Sequence, residues 1–173
     1  EVDSTVKVER YGGRLDSLSR RLLAENNLKD VIVEKGRLEF DESTRLTGRE
    51  QILDRMRLVD CLILVHGRQP VCSEYIPSKL YEYLWSGRPI IGLTWRNSEL
   101  DQIIESAGRI SIPLHKSTEA DVANAIGKLL YSWHEKSLAE FPITSEYTAR
   151  RSSEKLVSII RKVANAGVPV SKI

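Results

Sequence analysis

Cysteine is scarce: Cys61 and Cys72 are the two in 173 residues. Neither lies in a Cys-x-x-Cys pair or at a Cys/His ligand spacing, so the pattern indicates no zinc site and no disulfide framework. A reducing, cytoplasmic setting is expected. Long apolar runs are lacking too, since none approaches the roughly 18 residues that a membrane-spanning helix needs. The start, Glu1-Val2-Asp3-Ser4, has neither the basic nor the apolar region of a signal peptide. An excess of one charge is also missing. Lys plus Arg number 26 against 24 for Asp plus Glu, a net charge of +2, which supplies no broad field for a phosphate backbone, and nucleic acid is not an expected partner. No internal repeat or low-complexity tract is visible.

What remains is the composition of a globular domain, with 41% hydrophobic and 29% charged residues. At roughly 150 residues per domain, the length predicts one domain with a substantial core. We expect it to cover residues 1–166, with 167–173 as a flexible tail. The first residue is not Met and a strand pattern begins almost at once, so the chain reads as part of a longer protein.

The pattern along the chain alternates. Residues 5–11 are β-rich and end at Gly12-Gly13. Leu15, Leu18, Leu22 and Leu23 recur at helical spacing and stop at Asn26-Asn27. Val31 to Val33 form a second short strand, closed by Gly36. A helix over 47–58 follows, with Thr47 and Glu50 spaced as a capping box. The run Cys61-Leu62-Ile63-Leu64-Val65 is apolar at every position, which predicts a strand buried on both faces at the centre of a parallel sheet. Helices over 77–85, 98–107 and 118–133 then alternate with strands over 89–93 and 109–112. A last helix over 147–164 has Leu156, Ile159, Ile160 and Val163 as its apolar stripe. The expected fold is α/β: a Rossmann-like parallel sheet of about five strands with helices on both faces.

In open parallel sheets, ligands bind beyond the carboxyl ends of the strands. The loop after the apolar strand runs from His66 through Arg68, Cys72 and Glu74 to Ile76. It is longer than the 2–6 residues usual in α/β units. It leads into Pro77-Ser78-Lys79-Leu80-Tyr81-Glu82. Pro at a first helical position leaves the amides of Ser78, Lys79 and Leu80 to point out of the helix start, a place for an anion. Lys79 adds a positive charge. Glu82, about one turn further, is suited to accept hydrogen bonds from the vicinal hydroxyls of a ribose, and Glu74 from hydroxyls of another sugar. Together they describe a nucleotide sugar. His66 is a second candidate contact, or else a residue that hydrogen-bonds the loop; Arg68 reads as simply exposed, and His115 and His134 as surface residues.

At these residues a resemblance appears. Residues 74–89 resemble the E-x7-E segment in the C-terminal domain of GT-B glycosyltransferases, in particular the retaining family 4 (glycosyl transferases group 1). Glu74 and Glu82 stand at the two carboxylates, Pro77 at a glycine, Ile76 at an aromatic position, and Gly87 and Pro89 at the Gly-x-Pro ending. The resemblance implies that Glu82 binds the donor ribose, Glu74 contacts the donor sugar at the reacting centre, and the helix start at Pro77, Ser78, Lys79 and Leu80 holds the diphosphate. It also places the base near Gly36 and Arg37. The donor is then a nucleoside diphosphate sugar, with no further cofactor and no metal. The acceptor, a glycan or lipid-linked sugar in polysaccharide biosynthesis, would be held by an N-terminal domain preceding Glu1. The helix over 147–164 would cross back to that domain, and this chain alone would be inactive. Peripheral membrane association of the full-length enzyme is compatible with such an acceptor. The alternatives are a nucleotide-sugar 2-epimerase-like GT-B enzyme, which needs acid/base carboxylates elsewhere, and a non-catalytic α/β binding module.

Overall fold

Each hydrophobic period in the sequence becomes an element in the structure, a computed structural model that describes residues 6–141 and 147–165. In chain order these are β1 (Val8–Tyr11), α1 (Ser17–Glu25), β2 (Ile32–Gly36), α2 (Gly48–Leu58) and β3 (Leu62–Val65). A 3-10 turn (Pro70–Ser73), α3 (Lys79–Trp85), β4 (Ile90–Thr94), α4 (Ser98–Ser106), β5 (Ile110–Pro113), α5 (Glu119–His134) and α6 (Ala149–Asn165) follow. The tail expected over 167–173 lies outside the described residues. Contacts divide the chain into two compact units, Glu1–Arg55 and Met56–Ile173.

In the first unit β1 and β2 pair in parallel, with Val8 opposite Ile32 and Tyr11 opposite Gly36. The connecting α1 starts where Asp16 caps it, accepting from the Ser19 amide at 2.8 Å. The capping box read before α2 is formed: the Thr47 amide donates to Glu50 Oε2 at 2.7 Å, and the Glu50 amide to Thr47 Oγ1 at 3.3 Å.

In the second unit β3, β4 and β5 form a parallel sheet in that order. Leu62 lies opposite Ile90, and Ile91 opposite Ile110. The α/β class with parallel pairing is as expected, but the strands form sheets of two and three, fewer in one sheet than the five anticipated. The position of the doubly buried strand also differs. In β3 only Leu62 and Leu64 are buried, while Val65 is 60% exposed. The strand buried at nearly every residue is β4, because β4 is flanked by a strand on each edge and β3 by one in this sheet. An apolar run in sequence reports hydrophobicity, not the number of neighbours.

The core joins Leu62 and Leu64 of β3, Leu80 and Leu84 of α3, Ile90 of β4, and Leu100, Ile103 and Ile104 of α4. Fully burying such a side chain is worth about 1.5–3 kcal/mol, so these leucines and isoleucines fix how α3 and α4 lie on the sheet. Polar groups that enter this interior next to α4 are paired. Asp101 of α4 accepts from Thr94 Oγ1 at 2.5 Å and from Ser111 Oγ at 2.6 Å, which ties α4 to β4 and β5. By contrast, the apolar stripe of α6 is exposed at Leu156, Ile159, Ile160 and Val163. Among the described residues, no helix is long and apolar enough to cross a membrane.

Candidate functional site

The segment after β3 leaves the sheet at its carboxyl end and is held there by two buried polar side chains. His66, 4% exposed, immediately follows β3, and its Nε2 lies 2.6 Å from the carbonyl of Cys72. A carbonyl only accepts, so the imidazole proton is on Nε2. Asn97, 2% exposed, precedes α4 and donates from Nδ2 to the same Cys72 carbonyl at 2.9 Å and to the Tyr75 carbonyl at 3.0 Å. Its Oδ1 accepts from the Leu100 amide at 2.9 Å, capping α4. One asparagine thus starts a helix and pins a loop. Cys72 is buried beneath the loop, and the ring of Tyr75 meets His66 edge-on at 5.1 Å.

Glu74 lies between the two pinned carbonyls, those of Cys72 and Tyr75, and is itself exposed. A carboxylate in solvent on a backbone anchored two residues before it and one after keeps its hydration while losing little positional freedom on binding a ligand. The chain then passes through the buried Pro77 into α3. Ser78 is the residue at the helix entrance, and its side chain makes no capping bond. Here the amides expected to point outward are reduced. The Leu80 amide donates to the Pro77 carbonyl at 2.9 Å in a tight first turn, and the Leu80 side chain is fully buried in the core. Leu80 therefore offers no donor to a ligand. The amides of Ser78 and Lys79 have no acceptor among the described residues.

Lys79 is exposed at the start of α3, yet the protein around its ammonium removes enough water to lower its pKa from the ordinary value. Glu82 sits in the first turn of α3 and is half-buried. Tyr83, beside it in sequence, has its pKa raised by burial first and by the Glu82 charge second.

Gly36 and Arg37 belong to the other compact unit. Gly36 ends β2 in the left-handed region at φ 72°, where glycine is at ease, and its carbonyl accepts from the Gly12 amide at 2.8 Å. Arg37 is exposed and pairs with Glu39 at 3.8 Å. Of the two roles that the sequence allows His66, ligand contact and holding the loop, the structure displays the second.

Sequence reasoning missed Asn97. Its place before a helix marks a cap, but nothing in the one-dimensional pattern tells that its amide reaches carbonyls 22 and 25 residues away. Two shallow concavities of about 590 and 640 Å³ are lined by α6 and α5 alone and include none of these residues. Among the described residues, no group of three or more His, Cys, Asp or Glu side chains is arranged to hold a metal ion. No family model, no curated protein and no solved structure matches the chain.

Proposed function

We propose that this chain is the donor-binding domain of a retaining GT-B glycosyltransferase in polysaccharide biosynthesis, a cytoplasmic transferase using a nucleoside diphosphate sugar. The observation that carries the reading is the anchored segment from Cys72 to Glu82. Along the chain Glu74 precedes and Glu82 follows the helix entrance, in a segment that leaves the carboxyl end of a parallel strand, where ligands bind in open α/β sheets. In this reading Glu82 accepts from the ribose hydroxyls and Glu74 from hydroxyls of the donor sugar. Lys79, with the amides of Ser78 and Lys79, faces the diphosphate.

The chemistry follows from charge. As the bond between the anomeric carbon and the diphosphate oxygen breaks, its electron pair goes to that oxygen. A cation and two N–H donors placed in advance stabilise the charge that grows there. The acceptor hydroxyl then bonds to the anomeric carbon on the face the diphosphate leaves, and its proton departs with the leaving group, which retains configuration.

Titration calorimetry with UDP, GDP and ADP sugars tests the reading. One of them is expected to bind, Glu82→Ala to weaken it at least about tenfold through the lost pair of hydrogen bonds, and Glu82→Gln to weaken it less. No heat with any nucleotide sugar leaves a non-catalytic binding module instead. Wild-type affinity in Glu82→Ala removes the ribose role.

A further inference from the structure

Trp95 directly follows β4 and lies against two guanidinium groups. Arg68 Cζ is 4.6 Å and Arg96 Cζ 5.8 Å from the centre of its ring. His115 meets the same indole edge-on, with ring centres 5.9 Å apart. These residues come from three separate loops, after β3, β4 and β5, all at the carboxyl ends of strands paired in parallel.

The stability of the fold does not account for this cluster. Arg68, Arg96 and His115 are exposed, and neither arginine is within ion-pair distance of a carboxylate among the described residues. Arg96 holds a left-handed backbone at φ 50°, a conformation that strains any residue with a Cβ. Its amide donates to His115 Nδ1 at 3.3 Å, so the imidazole carries its proton on Nε2 as a further donor. Asp101 of α4 is engaged by Thr94 and Ser111. Two like charges gathered at one ring gain cation–π attraction and repel each other, a balance that a bound anion tips.

We infer that Arg68, Arg96 and His115, arrayed around Trp95, form a binding site for a phosphoryl group, the phosphomonoester or diphosphate of a small ligand. Two guanidinium forks and an imidazole N–H match the three or more oxygens and double charge of a phosphoryl group better than the single charge and two oxygens of a carboxylate. The site uses none of residues 74–89 and stands apart from the sugar-donor reading.

The test is titration of inorganic pyrophosphate and inorganic phosphate into the full chain at constant ionic strength, read by calorimetry and tryptophan fluorescence. Saturable binding is expected, weakened at least about tenfold in the double variant Arg68→Ala/Arg96→Ala. The fluorescence change should vanish in Trp95→Phe and persist in Trp85→Phe and Trp133→Phe. The Trp95 fluorescence change, lost in the double variant, separates this site from an anion held at the helix entrance. Absence of saturable binding at millimolar pyrophosphate overturns the proposal, as does an undiminished fluorescence-detected affinity in a folded double variant.

Discussion

His66 and Asn97 hold the same atom: the Cys72 carbonyl accepts from His66 Nε2 at 2.6 Å and from Asn97 Nδ2 at 2.9 Å. One residue comes from the end of β3 and the other from the end of β4, so the loop between them is tied to two neighbouring strands at once. A buried carbonyl uses both its lone pairs here, and neither donor is exposed to water.

Asn97→Asp separates the two jobs of this side chain. Asp retains an oxygen for the Leu100 amide but sets a carboxylate against the Cys72 and Tyr75 carbonyls in place of donors. Leaving buried acceptors unpaired costs about 1–3 kcal/mol, so the variant should unfold at lower denaturant while α4 stays capped. Amide exchange should accelerate over residues 70–75 and not over α4. Unchanged exchange over residues 70–75 would mean that the asparagine serves only the helix.

Several carboxylates make stability depend on acid. Asp16 and Asp121 have their pKa lowered first by backbone hydrogen bonds from Ser19 and Thr118, Glu50 by that from Thr47, and Asp41 by the Ser43 hydroxyl. Each group binds a proton less readily folded than unfolded. Its contribution is therefore complete above the unfolded carboxylate range, about 4, and is lost as pH falls through the depressed folded value. Thermal midpoints of wild type and Asp121→Asn should differ at pH 7 and converge toward pH 2. A constant gap over that span would show that the capping box before α5 acts through shape rather than charge.

These devices divide into what a linear pattern can and cannot carry. Strand and helix positions were legible because burial imposes periods of 2 and 3.6 on the chain, and the Thr47 and Glu50 capping box because its partners are three residues apart. The burial of β4 in place of β3 was not, since it depends on which strands become neighbours. Glu74 and Glu82 could be singled out from their spacing, but the clamp on the Cys72 carbonyl and the cluster on Trp95 each join residues that only folding brings together. The exposed stripe of α6 shows the same limit from the other side: a clean helical period gives the apolar face and says nothing about its partner.

Cys61 provides a chemical probe of packing beside β3. Burial pushes its thiol up to about 11, from an ordinary value near 8.5. The thiolate is the reactive species, so at pH 8 a disulfide reagent should label the folded protein far more slowly than the unfolded chain, with Cys72 shielded by its own burial. Because the folded state keeps this proton longer, its contribution is intact below the unfolded value and is lost as pH rises toward 11. Rapid labelling of Cys61 at pH 8 under native conditions would contradict this burial.

Arg109 brings a cation with unpaired donors into the described interior. It is 8% exposed, and its Nε and Nη2 have no acceptor among the described residues, while Nη1 donates to the Ala107 carbonyl. Its compensation is the ring of Phe141, which the guanidinium covers at 3.9 Å. Desolvation lowers the arginine pKa, the sign expected when water is removed without a carboxylate in return. Each unpaired buried donor costs about 1–3 kcal/mol, whereas a desolvated cation–π contact returns about 2 kcal/mol, so two unpaired groups outweigh one ring. Arg109→Met, which keeps much of the length without the donors, should therefore raise the thermal midpoint, as replacement of buried charges by apolar side chains does elsewhere. Phe141→Leu should cost more in the wild type than in Arg109→Met, since only the former has a cation to lose. A lowered midpoint in Arg109→Met, with Phe141→Leu equally harmful in both backgrounds, would mean that the guanidinium has an acceptor and contributes net stability.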